Sequence, residues 1–506
     1  MYNVIDYLEQ SSIKYPDKIA VIEEDKKINY KDLNNYSKCG GTYFIDNNIS
    51  GLILIFMDKG IDTLITFFSS IYSNNCYSLI NTELPQNRID NIIKTTKAKY
   101  VVTDDSHIEL AKEYFRGLKI INVNELKEYK LDDNKINIIK NNHIDIDPLY
   151  VNFTSGSTGI PKGVVISHRS VIEFIDKFTD IFEFSSDDII ANQAPFDFDV
   201  SVKDIYSSIK MGATLLIIPR SYFSNPTKLL DYICDNKVTT MTWAVSALCL
   251  ITTFHGLDYK VPEYVNKIIF SGEVMPIKHL NKWMEKLPNT KFVNVYGPTE
   301  ITCNCTYYVI DKEKDYDKLP IGKPFPNIRV MLLDEDNNII KEQNKVGEIC
   351  VSGTCLGLGY YSNLEQTSNS FTQNPNNKNY LETIYHTGDL AYYNSDNDLV
   401  FNGRRDFQIK YLGHRIELEE IDKAINECDF IVRSCTIFDE EKSKLYGFYI
   451  GNITPALLKQ ELREKLPVFM LPTSLIQLDE FPLNKNGKID RKKLMELKGD
   501  KKCLKA

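Results

Sequence analysis

The stretch from Thr154 to Lys162, TSGSTGIPK, combines two glycines, four hydroxyl side chains and one lysine within nine residues. A glycine-rich turn between a strand and a helix exposes backbone N–H groups that can bind an anionic phosphate chain, and Lys162 adds a positive charge. The pattern is not a Walker loop, because Gly163 rather than a hydroxyl residue follows the lysine. Most Ser/Gly-rich segments are flexible surface loops. A predicted strand before it and a helical pattern after it favour phosphate binding here.

Two downstream motifs carry residue types that suit the rest of a nucleotide. NVYGPTE (294–300) places an aromatic ring, a hydroxyl and a carboxylate close together after a predicted strand. The ring of Tyr296 can stack on a purine, and Glu300 can hold Mg²⁺ on phosphate oxygens. YHTGDL (385–390) offers Asp389 as an acceptor for ribose hydroxyls. Each motif taken alone also fits an ordinary turn or strand end.

A third stretch, PLNKNGKIDRKKL (482–494), places Lys488 directly after a glycine. A lone lysine is far more often a surface residue than a catalyst. Lys488 becomes a candidate because it follows the other motifs along the chain.

The composition limits the classes of protein that these motifs can belong to. The chain has 506 residues, which suggests two or three domains, and its hydrophobic fraction of 43% is that of a globular protein. A formal charge of −9 argues against a general nucleic-acid binder. The eleven cysteines are odd in number and form no C-x-x-C pair, which favours a reducing compartment. The amino terminus has no apolar stretch typical of a signal peptide. We therefore expect a cytoplasmic enzyme.

The predicted elements alternate between short apolar strands and amphipathic helices. Strands are predicted at 51–56, 100–103, 213–218, 267–270 and 292–296, and helices at 168–183 and 227–236. This alternation predicts an α/β fold with layered subdomains and parallel sheets. From about residue 347 the strands become more closely spaced, which indicates a β-rich subdomain, and the last hundred residues suggest a small α+β unit.

Taken in order, these motifs resemble the adenylate-forming superfamily of acyl- and aryl-CoA synthetases, peptide-synthetase adenylation domains and luciferases. The resemblance covers essentially the whole chain. The segments NQAPFDFDVSVKDIY (192–206), FSGEVMP (270–276) and RRDFQIKYLGHRIELEEID (404–422) are most similar to amino-acid-activating members. Among these, stand-alone adenylation domains and D-alanine–carrier protein ligases have the greatest likeness.

The resemblance implies a two-step reaction that uses ATP and Mg²⁺. A carboxylate attacks the α-phosphorus of ATP to form an acyl-adenylate, and a phosphopantetheine thiol then takes the acyl group. It also implies a large ATP- and substrate-binding domain, 1–405, and a small mobile α+β domain, 406–506, that rotates about a hinge at Asp406. The chain has no carrier-type G-[HD]-S segment. The carrier is therefore expected to be a separate protein, and neither nucleic acid nor a membrane is expected as a partner.

The resemblance also implies roles for the motif residues. The catalytic residues would be Lys488, Glu300 and Arg404, and the metal ligand would be Glu300. Lys488 would bridge the substrate carboxylate and the α-phosphate, and Arg404 would contact ribose or phosphate. The other nucleotide-binding residues would be Thr154, Ser155, Gly156, Ser157, Thr158, Gly159 and Lys162 on the phosphates, Thr299 beside Glu300, Gly272, Glu273, Asn294 and Tyr296 around the adenine, and Asp389 on the ribose. One departure is His386, where the family usually has arginine or lysine.

The amino-acid pocket can be located only by the same resemblance. Asp199, in the F-D-x-S-V motif, would bind the α-ammonium group. The other lining positions would be Val200, Lys203, Thr240, Ile269, Ser271, Val295, Cys303 and Asn304. Lys203, Ser271 and Trp243 stand where D-alanine ligases usually have an apolar residue, a cysteine and a proline. These differences argue against D-alanine as the substrate.

Lys203 has three interpretations that the sequence leaves open. It could extend to solvent along an apolar surface. It could pair with Asp199, since residues four apart lie on one face of a helix. It could instead reach a polar or acidic substrate side chain beside Ser271 and Asn304, which is the interpretation we favour.

Several other classes compete with amino-acid activation. A CoA ligase for a fatty or aryl acid would use the same ATP motifs but would not need Asp199. A luciferase-like oxygenase would need a large apolar pocket, and nothing in the sequence indicates one. A non-catalytic relative would be expected to have lost Lys488, Glu300 or Asp389, and all three are present.

Overall fold

The computed structural model describes residues 2–156, 161–440, 442–483 and 489–498. Its α-helices are α1 Ile5–Lys14, α2 Tyr30–Asp46, α3 Ile61–Tyr72, α4 Gln86–Thr96, α5 Ile108–Tyr114, α6 Val123–Lys127, α7 Asp133–Lys140, α8 His168–Ile181, α9 Val200–Met211, α10 Pro226–Asp235, α11 Val245–Thr253, α12 Gly256–Tyr259, α13 Ile277–Lys286, α14 Leu364–Ser370, α15 Leu418–Asn426, α16 Pro455–Lys465 and α17 Arg491–Leu497. Short 3-10 helices span Arg220–Ser224, Thr299–Ile301 and Val468–Met470.

The strands are β1 Ile19–Glu23, β2 Lys26–Asn29, β3 Leu52–Phe56, β4 Cys76–Leu79, β5 Tyr100–Thr103, β6 Lys119–Asn122, β7 Pro148–Thr154, β8 Lys162–Ser167, β9 Ile189–Asn192, β10 Thr214–Ile217, β11 Thr240–Ala244, β12 Lys267–Ser271, β13 Lys291–Tyr296, β14 Thr306–Val309, β15 Lys323–Pro324, β16 Ile328–Leu333, β17 Ile339–Ile340, β18 Gly347–Gly353, β19 Gly359–Tyr360, β20 Phe371–Gln373, β21 Thr383–Tyr393, β22 Leu399–Arg404, β23 Gln408–Tyr411, β24 His414–Glu417, β25 Ile431–Asp439, β26 Lys444–Gly451 and β27 Ser474–Gln477.

Two large sheets form the α/β layers. One sheet has the order β15-β14-β13-β12-β11-β9-β10-β1-β2, parallel from β13 to β1 and antiparallel at both edges. The other has the order β19-β8-β7-β4-β3-β5-β6. Strand β3, LILIF, is buried along its whole length. Such a continuous apolar run is typical of a parallel strand that is covered on both faces.

One hydrophobic core joins both large sheets. It contains buried residues of α3, α8 and α9 together with residues of β3 and β10, and its aromatic members include Phe67, Phe178 and Tyr206. The helices are therefore held by apolar contacts to strands of both sheets, which keeps their axial positions fixed.

The β-rich subdomain is an antiparallel sheet of order β17-β16-β18-β21-β20, with β22 paired to β21. It follows the last strand of the parallel sheets, as the closely spaced strands after residue 347 predict. The carboxyl-terminal residues form a two-stranded sheet, β23-β24, and a three-stranded sheet, β25-β26-β27, packed with α15 and α16. The predicted α/β class with a β-rich part and a small α+β part is confirmed.

The chain divides into two compact units. The first contains residues 1–82, 96–152 and 163–405, and the second contains 83–95, 153–162 and 406–506. The sequence places 83–95 and 153–162 in the large domain, whereas their contacts group them with the second unit. Rotation about Asp406 stays a prediction. Within the part of the chain that the structure describes, no helix combines the length and the apolar character needed to cross a bilayer.

Candidate active site

Helix α9 carries three ionisable residues at or near its start. Asp199 precedes the helix and is largely buried, and Lys203 and Asp204 lie one turn later and are completely buried. Charged residues are almost never fully buried unless partners surround them. The surroundings of Lys203 and Asp204 therefore describe the candidate site.

Lys203 contacts Ser271 and Asn304, the two residues that the sequence analysis expects beside it. Its Nζ donates to Asn304 Oδ1 at 3.1 Å and lies 3.3 Å from Ser271 Oγ. Among the described residues, no carboxylate lies within ion-pair distance of this ammonium group. Burial lowers the pKa of Lys203. The side chain is neither extended to solvent nor paired with Asp199, and its two partners are neutral oxygen atoms.

The loop after β13 reaches the start of α9. Cys303 Sγ lies 3.0 Å from the backbone carbonyl oxygen of Asp199. Thr302 and Cys303 both have left-handed backbone angles, with φ of 59° and 69°. At Gly297 a Cβ atom would lie 2.6 Å from the Cα atom of Asn304. Only glycine leaves room for this close approach, which explains the glycine of the YGPTE motif.

Three of the residues predicted to line the pocket lie in the large buried core of the first unit. Ile269, Val295 and Cys303 belong to the same buried hydrophobic cluster. Val200 is the first residue of α9 and is half-buried. Ser271 ends β12, at the carboxyl end of a parallel strand, where ligands of open α/β sheets bind.

Thr240, which the resemblance places in the pocket, belongs to a different polar group from that of Lys203. It is the first residue of β11, and its hydroxyl donates to Asp188 Oδ1 at 3.0 Å, beside Lys267 at the start of β12. This is the amino end of the parallel strands, opposite to the end that carries Ser271. Two residues further on, Thr242 donates to Asp204. Thr242 is thus the residue of β11 whose hydroxyl reaches α9, and a role for Thr240 in the pocket stays a prediction.

Three residues of the first unit that are predicted to bind the nucleotide form a second buried group. Tyr296 donates its hydroxyl to Asp389 Oδ2 at 2.5 Å, and Arg404 Nη1 lies 2.5 Å from Asp389 Oδ1. Asp389 and Arg404 face each other on β21 and β22. Burial and the neighbouring carboxylate of Asp389 raise the pKa of Tyr296. Two side chains, those of Tyr296 and Arg404, thus hold the carboxylate of Asp389.

The remaining residues that are predicted to bind the nucleotide lie around the ends of β12 and β13. Asn294 donates to the carbonyl oxygen of Pro320 at 2.8 Å. Gly272 has a φ of 95°, with open space where a Cβ would stand, and Glu273 follows it half-buried. Thr299 begins the 3-10 helix after the YGP turn. Glu300 is buried and accepts from the hydroxyl of Tyr360 at 2.9 Å.

The phosphate loop differs from the predicted strand-loop-helix arrangement. Thr154 ends β7, Lys162 begins β8, and α8 starts only at His168. Strand β8 therefore comes between Lys162 and α8, and the helix N-terminus invoked from the sequence does not directly follow the motif. Ser155 donates to the backbone carbonyl of Arg415 at 2.6 Å, within the second unit. Gly156 follows it; the predicted residues Ser157, Thr158, Gly159 and Lys488 lie outside the described residues.

The sequence analysis did not identify the polar network around Asp204, the residue that follows Lys203. Asp204 accepts from Asn192 Nδ2 at 2.8 Å and from Thr242, and Lys59 donates to Asn192 Oδ1 at 2.9 Å. Burial raises the pKa of Asp204 to about 7 and lowers the pKa of Lys59 to about 7. Asn192 and Asp204 do occur in the NQAPFDFDVSVKDIY segment, but Lys59 comes from a distant part of the chain and no local pattern marks it.

We expect Asp204→Asn to change how stability depends on pH. An aspartate whose pKa rises from 3.8 in the unfolded chain to about 7 in the fold favours its neutral form. Wild-type stability should therefore fall relative to the variant as pH increases from about 4 to about 7, by up to roughly 4 kcal/mol. Urea unfolding at pH 5 and pH 8 should record roughly 3 kcal/mol of this change, because part of it already occurs below pH 5.

Asp396→Asn, at an exposed ion pair with Lys314, is the matched control and should show no such change. A constant difference between wild type and Asp204→Asn at both pH values would contradict the assigned shift.

Comparisons with known proteins identify the family of the chain. Residues 8–361 match the family described as AMP-binding enzyme. D-alanine–D-alanyl carrier protein ligase of Bacillus cytotoxicus is 31% identical over 512 residues, which cover 97% of this chain and 99% of that protein. Bacitracin synthase 1 of Bacillus licheniformis is 31% identical over 504 residues, which cover 97% of this chain but 9% of the synthase. The chain thus spans a small part of that much longer relative.

The fold has a solved counterpart in the adenylation domain AlmE of Vibrio cholerae, determined in complex with glycyl-adenosine-5'-phosphate. The two structures agree with a TM-score of 0.85 over 98% of each chain, at 18% sequence identity, which is a likeness of fold. The family match covers well over half of the sequence, and the predicted resemblance to adenylate-forming enzymes is confirmed. The chain belongs to the AMP-binding enzyme family.

Proposed function

We propose that the protein activates an amino acid as an aminoacyl-AMP and transfers it to the phosphopantetheine thiol of a separate carrier protein. The observation that carries this proposal is the arrangement of residues 294–304. This segment contributes Tyr296 and Glu300 to the nucleotide side and Cys303 and Asn304 to the group around Asp199 and Lys203. One rigid segment can therefore hold ATP and the acyl substrate next to each other.

The chemistry requires positioning more than covalent assistance from the protein. A carboxylate oxygen of the substrate forms a bond to the α-phosphorus of ATP, and the bond to pyrophosphate breaks. The thiol then attacks the acyl carbonyl, AMP leaves and the thiol proton is released. Asp389, held by Tyr296 and Arg404, would orient the ribose. Holding both reactants in line can supply much of the rate enhancement.

Glu300 is the residue proposed to hold Mg²⁺, together with Thr299. A carboxylate and a hydroxyl are hard oxygen ligands, which suit this cation. When bound, Mg²⁺ neutralises charge on the phosphate oxygens. The hydroxyl of Tyr360 fixes one carboxylate oxygen of Glu300 and so limits the rotation of the side chain.

The amino-acid class is favoured over plain carboxylic acids by Asp199. A largely buried carboxylate is stabilised by a cation, and the α-ammonium group of an amino acid supplies one. Two alternatives remain: a D-alanine–carrier protein ligase, as the relative in Bacillus cytotoxicus is named, and an acyl- or aryl-CoA ligase. A small apolar substrate is disfavoured by Lys203, whose ammonium group and polar partners would face a methyl group.

The experiment that tests this function is ATP–pyrophosphate exchange with the purified protein over D- and L-amino acids, fatty acids and aryl acids. We expect exchange with an amino acid, and loading of a phosphopantetheinylated carrier with the same acid. Exchange confined to acids without an α-ammonium group, followed by transfer to free CoA, would replace this function with that of a CoA ligase.

The role proposed for Lys488 predicts unequal effects on the two half-reactions. A lysine that neutralises charge only during adenylation is not needed for thiol transfer, because the small domain is proposed to rotate about Asp406 between the steps. Lys488→Ala should therefore slow adenylate formation by about 100-fold or more. Transfer from a supplied aminoacyl-AMP should be largely unchanged.

Lys485→Ala, three residues away in the same basic stretch, is the matched control and should leave both steps near wild-type rates. Equal losses in both half-reactions of Lys488→Ala would contradict the assigned role.

The environment of Lys203 predicts a substrate with a polar or acidic side chain. Losing a hydrogen bond to a charged group costs about 1.5–3 kcal/mol, so Lys203→Met should lower kcat/KM for that substrate by about 10- to 100-fold. The same variant should gain activity on alanine, because the pocket becomes apolar. Pyrophosphate exchange with both substrates measures the switch.

Lys210→Met serves as the control, since Lys210 lies on the same helix and pairs with Asp176 away from this group. If the wild type prefers D-alanine and Lys203→Met keeps that preference, Lys203 does not select the substrate.

A further inference from the structure

A second cluster of chemically reactive side chains lies in the β-rich subdomain. Glu348 and Cys350 come from β18 and His386 from the adjacent strand β21, where Cys350 and His386 face each other in register. One ligand atom from each residue lies within 4.8 Å of the other two. A carboxylate oxygen, a thiol sulfur and an imidazole nitrogen are the three donor types that zinc uses in proteins.

The distances between these donors are close to those in a zinc site. Cys350 Sγ lies 3.4 Å from His386 Nδ1, and that nitrogen lies 3.2 Å from Glu348 Oε2. In a tetrahedral zinc site, ordinary metal–ligand bond lengths separate sulfur from nitrogen by about 3.5 Å and nitrogen from oxygen by about 3.3 Å. Two of the three donor pairs therefore already have the spacing of a zinc site, and Cys350 Sγ and the Glu348 carboxylate lie within 4.8 Å of each other.

Surrounding groups orient two of these donors. His386 Nε2 lies 3.2 Å from Thr372 Oγ1, so this nitrogen can donate to the hydroxyl while Nδ1 directs its lone pair at the cluster. The backbone N–H of Gly388 donates to Glu348 Oε1 at 3.0 Å, which leaves Oε2 on the side of His386. Such outer contacts are typical around metal-binding histidines and carboxylates.

The cluster is also accessible from one side. The side chain of His386 is 25% exposed, whereas Cys350 is completely buried. An ion could therefore enter past the imidazole, and water could fill a fourth position. Arg405 Nη1 lies 3.5 Å from Glu348 Oε2, but its side chain is 68% exposed and can turn into solvent.

We propose that Glu348, Cys350 and His386 bind one Zn²⁺ ion. Binding displaces the thiol proton of Cys350, because the ligand is the thiolate. The ion would link β18 to β21 through His386, which precedes Asp389 by three residues. Gly388 lies between these two residues, and its carbonyl accepts from the backbone N–H of Arg405.

Titration of the metal-free protein with Co²⁺ alone tests the proposal, followed by displacement with Zn²⁺. We expect one tightly bound equivalent, a thiolate-to-cobalt charge-transfer absorption, and loss of that absorption when Zn²⁺ is added. Cys350→Ser should abolish the absorption. Cys355→Ser, which changes another buried cysteine of the same subdomain, should retain it.

Two further variants keep the test decisive if Cys350→Ser does not fold. His386→Gln, at a partly exposed side chain, should weaken Zn²⁺ binding by at least about 100-fold, and Thr372→Val should weaken it by about 10-fold. Absence of the charge-transfer absorption in the wild type would overturn the proposal. Unchanged Zn²⁺ affinity in His386→Gln would overturn it as well.

Discussion

The burial of ionisable groups on α9 is the constraint on which the candidate site depends. Lys203 and Asp204 follow each other in the helix and neither reaches water. Buried charges are stable only where hydrogen-bonding partners replace the lost hydration. The structure therefore brings the end of β12, the loop at Asn304 and the strand residues Asn192 and Thr242 to this helix. The location that we propose for the substrate rests on that requirement.

A similar constraint applies to the residues that are predicted to bind the nucleotide. Asp389 is buried, and its two carboxylate oxygens accept from Tyr296 and from Arg404. Tyr296 lies on β13 of the parallel sheet, whereas Asp389 and Arg404 lie on β21 and β22 of the β-rich subdomain. The carboxylate of Asp389 therefore links the two sheets. The segment after β13 then continues to Asn304 beside Lys203. Substitutions in either buried group, the one around Lys203 or the one around Asp389, are therefore expected to disturb both the substrate part and the nucleotide part of the candidate site.

Much of the fold is readable from the sequence because apolar runs mark buried strands. The predicted strands at 100–103 and 292–296 agree with β5 and β13 to within one residue, and the predicted helix at 168–183 agrees with α8 to within two. Motif residues such as Tyr296, Asp389 and Arg404 are recognisable since their spacing follows a shared pattern. The structure then supplies the contacts that join them.

Other features could not be read in this way. Thr240 and Thr242 lie on the same face of β11, so alternation alone does not tell which of them reaches the carboxyl end of the sheet. The segment KGVVIS after the phosphate loop forms strand β8 and delays the helix by six residues. Lys59 meets Asn192 only through the pairing of distant elements. The position of these groups depends on tertiary packing, which a local pattern does not encode.

The central claim is that the buried carboxylate of Asp199 selects a substrate with an α-ammonium group. Calorimetric titration with two non-hydrolysable sulfamoyl-adenosine analogues, one glycyl and one acetyl, tests it most directly because the analogues differ only in that group. We predict binding of the glycyl analogue that is tighter by roughly 10- to 100-fold, as expected for a charge-assisted hydrogen bond. The preference should disappear in Asp199→Asn. Equal affinity of the wild type for the two analogues would contradict the account.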